Sequence, residues 1–230
     1  MENSIFFNHV LKALGFNAYT AGARIRLRVN GIPQGDYIGW MHIVNIVTLS
    51  DGSRYMLDVS FGGDGAIHPL PLISGQITSN IGTQEIRLVY DNIPGQTTAP
   101  SESQKLWIYQ YRNSTEKPWN SFYCFPEMEF LHRDFVAFNY YTSTSPESFQ
   151  TFQMLVVKFL RRDDHISGKL MLVDDTIKQN TGGRTEVLKT CKTEQERIDA
   201  LKEWFGIILT EEQKRGIIGW NTELKGGVEQ

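Results

Sequence analysis

The feature that most restricts the fold is a pair of apolar, strand-like runs, residues 40–49 and 54–61, separated by a short Ser-Asp-Gly-Ser turn. An Asp-Gly pair between two such runs is typical of a β-hairpin. The loop length matters because a register shift of one residue moves every side chain of a strand to the opposite face. The chain is therefore predicted to be built around an antiparallel sheet.

Pattern alone permits two loop lengths in this hairpin. A two-residue turn places Asp58 opposite Asn45, on the other face from His42. A three-residue loop over 50–52 puts Gly52 in the left-handed position of a type I turn with a bulge, a favoured hairpin. His42 and Asp58 then become diagonal neighbours, with β-carbons about 7–8 Å apart. We prefer the three-residue loop because it keeps the charged Asp58 off the apolar face.

In the preferred register the hairpin has one apolar and one mixed face. The apolar face, expected to join the core, carries Met41, Ile43, Val47, Leu49, Tyr55, Leu57, Val59 and Phe61, with Asn45 as its polar residue. The mixed face, expected to line a cleft, carries Trp40, His42, Asp58 and Ser60.

The His42–Asp58 pair is the candidate for chemistry. A carboxylate bonded to one ring nitrogen fixes the imidazole tautomer and stabilises the imidazolium, so the other nitrogen can take a proton from a nucleophile. A buried His–Asp hydrogen bond without a catalytic role is the alternative.

Composition narrows the class of protein. The 230 residues are 40% apolar and 12% aromatic, which supports a sizeable core in one or two domains. A net charge of −3, from 23 basic and 26 acidic residues, gives no sign of a nucleic-acid partner. Two cysteines, Cys124 and Cys191, cannot form a disulfide framework and favour a reducing compartment. No apolar run reaches the roughly 20 residues of a membrane span. We predict a soluble cytoplasmic protein with no membrane partner; its oligomeric state is open.

A helix and three further strands are predicted in the rest of the chain before residue 112. A helix is predicted over 5–14, with Ile5, Phe6, Val10, Ala13 and Leu14 as its apolar face. A half-buried strand is predicted over 23–29, with Ile25, Leu27 and Val29 inward and Arg24, Arg26 and Arg28 solvated or, alternatively, gripping phosphates. Further strands are predicted at 84–91 and 105–111, with a surface loop at 92–104.

The C-terminal part combines a hairpin and helices. Strands at 153–160 and 168–174 flank an Arg-Arg-Asp-Asp turn, and capping boxes at Thr193…Glu196 and Thr210…Gln213 predict two helix starts. Four histidines, His9, His68, His132 and His165, lack metal-ligand spacing, so no metal site is predicted. Strands in the middle and helices at the ends make the class α+β.

Several segments together resemble the arylamine N-acetyltransferase family in its fungal form. The pattern GWMH (39–42) followed by DVSFG (58–62) is similar to the family's histidine and aspartate segments. The N-terminal MEN and FFNHVLKALGF resemble the segment just after its nucleophile, and AGARIRLRV its first barrel strand. FNYYTSTSPESF (138–149) and WFGIILTEEQKRGI (204–217) resemble its interdomain stretch and C-terminal helix.

The resemblance implies a fold and a reaction. The fold has a cysteine-protease-like core: the remnant of an N-terminal helical domain (1–22), a β-barrel domain (23–135) and a C-terminal α/β lid (136–230). The reaction is acetyl transfer from acetyl-CoA, or another acyl-CoA, to an aromatic amine or hydrazine in xenobiotic metabolism. It uses a Cys-His-Asp triad and a ping-pong cycle, with no permanently bound cofactor.

The same resemblance assigns residues. His42 and Asp58 match the triad; Met41, His42, Tyr141 and Glu147 match coenzyme A contacts. Trp40 and Phe61 are candidate acceptor contacts, with core packing as the alternative for both.

The chain departs from the family at two places. The motif Arg-Gly-Gly-x-Cys-x-Glu-Asn would put the cysteine one residue before Met1, so we expect a missed upstream segment; Cys124, expected in a loop before a helix, is an unsuitable replacement. Ser60 stands where the family usually has glycine and is expected to crowd the His42 imidazole. The alternatives are a catalytically inactive homologue acting as a binding module or pseudogene product, and a cysteine-protease- or transglutaminase-like enzyme.

Overall fold

Antiparallel pairing organises most of the chain, as a computed structural model describes it for residues 2–98 and 100–226. The residues up to Tyr141 form one compact unit and those from Thr142 onward form a second. No helix in the described ranges is both long and apolar enough to cross a membrane. The division into three domains stays a prediction.

The first unit contains an eight-stranded sheet in the order β6-β5-β4-β1-β10-β9-β8-β7. β6 at one edge lies beside β8 near the other, so the sheet is a nearly closed barrel. Its strands are β1 (Asn17–Ile25), β4 (Trp40–Thr48), β5 (Arg54–Leu57), β6 (Leu70–Pro71), β7 (Ile77–Ser79), β8 (Glu85–Asp91), β9 (Leu106–Arg112) and β10 (Asn120–Phe125). A separate small ribbon joins β2 (Arg28–Val29) to β3 (Ile32–Pro33). Two helices, α1 (Glu2–Ala13) and α2 (His132–Thr144), flank these strands.

The three-residue hairpin loop is confirmed. Asn45 pairs with Leu57 and Thr48 with Arg54, the register expected when residues 50–52 form the loop. Gly52 has φ +84°, and its N–H bonds the Leu49 carbonyl at 3.0 Å. A left-handed glycine at this place is what the bulged type I hairpin requires.

A β-bulge corrects the predicted position of Trp40. β1 pairs Ala23 with His42 but Arg24 with Trp40, so Met41 has no partner residue on β1. The extra residue breaks the alternation of side chains, and Trp40 packs with the cluster around Ile43 rather than on the face of His42. A bulge of this kind leaves no mark in a hydrophobicity pattern.

The end of β5 corrects two further expectations. The strand stops at Leu57, and residues 58–61 turn away from the sheet instead of continuing it. Phe61 therefore lies against His42, with ring centroids 4.9 Å apart, instead of on the opposite apolar face. Ser60 is not paired across from His42, and its hydroxyl bonds Ser4 at 2.7 Å. The cross-strand pairing on which the predicted crowding of the imidazole depended is therefore absent.

Helix α1 does not bury its predicted apolar face as a whole, although Ile5 from that face packs against the Ile43 cluster. Its buried residues are Ser4, Asn8 and Leu11, whereas Phe6 and Leu14 are each 70% exposed. The prediction failed because the surface beneath the helix is partly polar, so the apolar stripe of the helix does not identify its buried side.

Two further predictions for the barrel were wrong. β1 ends at Ile25, and Leu27 and Val29 beyond it are exposed rather than inward. The stretch around Cys124, expected as a loop, is instead the central strand β10. Its aromatic run Phe-Tyr-Cys-Phe, followed by proline, is a strand signal that the prediction did not use.

The second unit has a four-stranded sheet in the order β11-β12-β13-β14. These strands are β11 (Leu155–Arg162), β12 (His165–Val173), β13 (Thr176–Thr181) and β14 (Arg184–Thr190), and two short helices follow, α3 (Glu194–Ala200) and α4 (Glu211–Arg215). The predicted hairpin is confirmed, with Arg162 paired to His165 across a two-residue turn. Thr193 caps α3 as predicted, but the capping box predicted there is only half formed, because the Glu196 carboxylate accepts from the Lys192 N–H instead of the Thr193 N–H. The Thr210–Gln213 capping box is complete.

Candidate active site

His42 and Asp58 are brought together as the hairpin register requires. The His42 Nε2 lies 2.7 Å from the Asp58 Oδ2, and the Asp58 side chain is fully buried. Within residues 2–98 and 100–226 no hydrogen bond is made to the other ring nitrogen, Nδ1. When the carboxylate accepts from Nε2–H, Nδ1 carries the lone pair that can take a proton.

The turn after β5 holds the Asp58 carboxylate in place. Its Oδ1 accepts the backbone N–H groups of Ser60, at 3.2 Å, and Phe61, at 3.1 Å. With Oδ2 bonded to His42, both oxygens of the buried carboxylate have partners. These bonds fix the position and orientation of the carboxylate relative to the imidazole.

Aromatic rings surround the imidazole. Phe61 meets it edge-on and Tyr123 lies 5.5 Å from it, while Phe122 packs edge-on against Phe61 with centroids 4.5 Å apart. Burial first, and then the neighbouring Asp58 carboxylate, raise the pKa of Tyr123 well above its ordinary value, so this phenol stays neutral. The rings screen the His–Asp pair from water and lower the local dielectric.

The first turn of α1 reaches the same loop. Ser4 Oγ lies 2.7 Å from Ser60 Oγ, and the Asn45 side-chain amide donates to the Ser4 carbonyl at 3.2 Å. The N-terminal end of α1 therefore lies beside the turn that carries Asp58. The partial positive charge of a helix N-terminus stabilises a thiolate placed there.

Four other residues were predicted to belong to the site: Trp40, Met41, Tyr141 and Glu147. Trp40 packs edge-on against Phe130, and the Arg24 guanidinium lies 4.1 Å above its ring. Met41 is buried at the bulge. Tyr141 is partly exposed at the end of the first unit, and Glu147 belongs to the second unit. Their proposed contacts with coenzyme A or an acceptor stay predictions.

Neither cysteine in the described ranges is suited to nucleophilic attack. Cys124 is fully buried on β10, and burial raises the pKa of its thiol to about 12. Cys191 is buried in the second unit, and burial raises its pKa as well. Reactive thiols need a depressed pKa and access to substrate.

Sequence reasoning missed Tyr123 and Ser4 as parts of this site. Tyr123 was missed because β10 was expected to be a loop. Ser4 was missed because its role depends on a hydroxyl contact with a residue 56 positions away, which no local pattern reports.

Comparisons with known proteins concern the family and the fold. The N-acetyltransferase family profile matches residues 1–214. An N-malonyltransferase, FDB2, from Gibberella moniliformis is 35% identical over 229 residues, covering 94% of this chain. A protein of the same name from Fusarium pseudograminearum is 34% identical over 231 residues. The chain spans 66% of the length of the Gibberella protein, just under two thirds, and 67% of the Fusarium one.

Solved structures share the fold. The arylamine N-acetyltransferase of Mycobacterium abscessus aligns with a TM-score of 0.75 at 20% identity, over 93% of this chain and 68% of that one. The Nocardia farcinica enzyme gives 0.75 at 22% identity, over 96% and 71%. The Mycobacterium marinum enzyme, solved in complex with CoA, gives 0.71 at 21% identity, over 90% and 68%. At these identities the likeness concerns the fold.

Proposed function

The chain belongs to the arylamine N-acetyltransferase family, and on that premise we propose that it transfers an acyl group from acyl-CoA to the nitrogen of an aromatic amine or hydrazine. We propose a Cys-His-Asp ping-pong cycle in the cytoplasm, with acetyl-CoA or a related thioester as co-substrate and a part in xenobiotic metabolism. The observation that carries the proposal is the 2.7 Å contact between His42 Nε2 and Asp58 Oδ2, which leaves Nδ1 available for a thiol.

In this proposal the nucleophile is a cysteine joined to the N-terminal end of α1. Two features support that place: the first turn of α1 is bonded to the loop of Asp58 through Ser4 and Ser60, and the buried Cys124 and Cys191 are unsuitable. The thiol proton moves to His42 Nδ1, and Asp58 stabilises the resulting imidazolium.

The acyl group moves in two balanced steps. The thiolate attacks the thioester carbonyl; coenzyme A leaves as a thiolate and takes the proton from His42, which leaves a neutral imidazole and an acyl-cysteine. The amine nitrogen then attacks the acyl carbon and gives its proton to Nδ1 as the cysteine thiolate leaves. The amide product forms and the thiolate–imidazolium pair is restored.

Malonyl-CoA is a specific candidate for the acyl donor. The two relatives with 34–35% identity carry the name N-malonyltransferase, whereas the structural neighbours, named arylamine N-acetyltransferases, are only 20–22% identical. Acetyl and malonyl donors are therefore compared in one experiment.

The test places a thiol at the proposed position. We define the Cys-extended chain as the present sequence with an N-terminal segment ending in Arg-Gly-Gly-x-Cys directly before Met1. It is incubated with acetyl-CoA or malonyl-CoA, and the acyl-enzyme is detected by intact mass; an arylamine is then added and the amide product quantified. We expect acylation of the added cysteine and its loss on addition of the amine.

Three controls define the outcome. The present chain and a Cys→Ser version of the extension should form no acyl-enzyme. His42→Ala in the Cys-extended chain should raise the pH midpoint of iodoacetamide alkylation toward the 8.5 of an unperturbed thiol. Acyl transfer by the unextended chain would contradict the mechanism. A folded Cys-extended chain whose added thiol alkylates identically with and without His42 would favour the inactive homologue.

A further inference from the structure

A pair of hydroxyl groups joins the first turn of α1 to the turn that carries Asp58. Ser4 and Ser60 lie 56 residues apart in the chain, and their Oγ atoms are 2.7 Å apart. Ser4 Oγ also donates to the Ile43 carbonyl at 3.3 Å. Since a serine hydroxyl has one proton to donate, Ser60 is the donor and Ser4 the acceptor in the shared bond.

Each partner of Ser4 belongs to a segment that holds the His42–Asp58 pair. Ile43 follows His42 on β4, and Asn45, two residues on, donates its side-chain amide to the Ser4 carbonyl. Ser60 gives its hydroxyl to Ser4 and its backbone N–H to the Asp58 carboxylate. One set of hydrogen bonds thus links the N-terminal end of α1 to the segments that carry His42 and Asp58.

Directed bonds act beside apolar packing at this contact, where Ile5 packs against the Ile43 cluster. Ser4 and Asn45 are fully buried, and the next buried residue of α1, Asn8, is also polar. Apolar packing is non-directional, whereas hydrogen bonds set both distance and orientation. A misplacement of about 1 Å between catalytic groups can lower a rate about 100-fold.

We propose that Ser4 and Ser60 are positioning residues that fix the N-terminal end of α1 against the His42–Asp58 pair. The inference rests on the proposed function, because the group positioned is the cysteine at that end of α1. Neither hydroxyl touches substrate; each acts through the main chain of the helix or of the turn that it holds.

The experiment uses Ser4→Ala, Ser60→Ala, the double variant and Ser60→Thr in the Cys-extended chain. The acylation rate constant is measured in single turnovers, together with KM for the arylamine and Tm. We expect each alanine variant to lower the acylation rate at least tenfold without changing KM. The double variant should be no slower than the slower single one, and Ser60→Thr, which keeps the hydroxyl, should retain most of the rate.

Ser53→Ala is the matched control. The Ser53 hydroxyl bonds Asp51 within the loop at the far end of the same hairpin, so its removal should leave the acylation rate unchanged. A merely structural role for Ser4 and Ser60 would lower Tm and leave the rate constant of the folded protein intact.

The two proposals fail in different ways. An active parent whose acylation rate is unchanged by both alanine substitutions would refute the positioning role alone. Multiplicative losses in the double variant would also refute it, because independent effects mean that the two hydroxyls do not act as one contact. A folded parent with no acyl transfer would refute the proposed function and the positioning role with it.

Discussion

At the scale of single residues, the site depends on how one carboxylate distributes its hydrogen bonds. Asp58 uses one oxygen for His42 and the other for two backbone N–H groups, so it fixes both the imidazole and its own turn. An asparagine side chain has the same shape but cannot accept hydrogen bonds at both positions, because its amide nitrogen donates instead of accepting.

Asp58→Asn should therefore impair catalysis much more than folding. We expect the acylation rate of the Cys-extended chain to fall about 10³- to 10⁴-fold, because the imidazole is held in the wrong tautomer, as when a triad aspartate is replaced elsewhere. Single-turnover acylation and urea unfolding measure the two effects. Asp51→Asn, in the exposed hairpin loop, is the control and should keep the parental rate. A rate for Asp58→Asn within threefold of the parent would contradict the assigned role.

The buried Cys124 thiol gives a prediction that depends on pH. Because burial raises its pKa to about 12, the thiol stays protonated, and we expect no alkylation of Cys124 by iodoacetamide in the folded chain between pH 7 and pH 10. Unfolding in urea should restore ordinary reactivity. Intact mass before and after unfolding, followed by peptide mapping, makes the measurement. Alkylation of folded protein at pH 8 would contradict it.

The raised pKa of the Cys124 thiol also makes the free energy of unfolding depend on pH. Its pKa is higher in the folded than in the unfolded chain, so its contribution is complete below the unfolded value of about 8.5 and is lost as the pH rises toward 12. Cys124→Ala should weaken the loss of stability above pH 9, measured by urea unfolding at several pH values.

At the scale of secondary-structure elements, helix α1 shows why a periodic pattern can mislead. Its apolar residues follow helical spacing, yet the helix buries Ser4, Asn8 and Leu11, because β4 and the 58–61 turn present polar groups to it. The hairpin register could be predicted because turn chemistry and the cost of burying a charge are local. The bulge at Met41 and the early end of β5 could not. The bulge arises in the pairing of β4 with β1, and β5 ends where the backbone turns around the Asp58 carboxylate.

A matched pair of substitutions distinguishes the two faces of α1. Leu11→Ala should lower the free energy of unfolding by about 2–4 kcal/mol, because Leu11 packs against Ala18 and Val47. Phe6→Gln should change it by less than about 0.5 kcal/mol, because Phe6 is largely exposed, and should reduce self-association. Urea unfolding and light scattering make the measurements. Equal destabilisation by both substitutions would show that the observed orientation of α1 is wrong.

At the scale of the whole molecule, each unit has its own apolar core, and the second unit also buries a charged side chain. The first is a barrel whose inner residues are mainly apolar and aromatic. The second contains a fully buried guanidinium, Arg197, which pairs with Glu194 and donates to the carbonyls of Asp174 and Thr222. One side chain thus joins α3, the turn after β12 and the C-terminal segment.

Arg197→Met should destabilise the second unit by about 3–5 kcal/mol, because it leaves a partly buried carboxylate and two carbonyls without their donor. Hydrogen exchange should quicken at slow amides of β12 and β13, with those of β4 and β9 unchanged. Arg184→Met, which removes an exposed pair with Glu186, is the control and should have little effect. Equal acceleration in both units would contradict a local role.

The paired hydroxyls of Ser4 and Ser60 also have an evolutionary consequence. Replacing Ser60 alone deprives a fully buried oxygen of its donor, so selection on codon 60 depends on what codon 4 encodes. In an alignment of orthologues the two columns should change together, and lineages that have lost one serine should show relaxed constraint, or a replacement of different size, at the other.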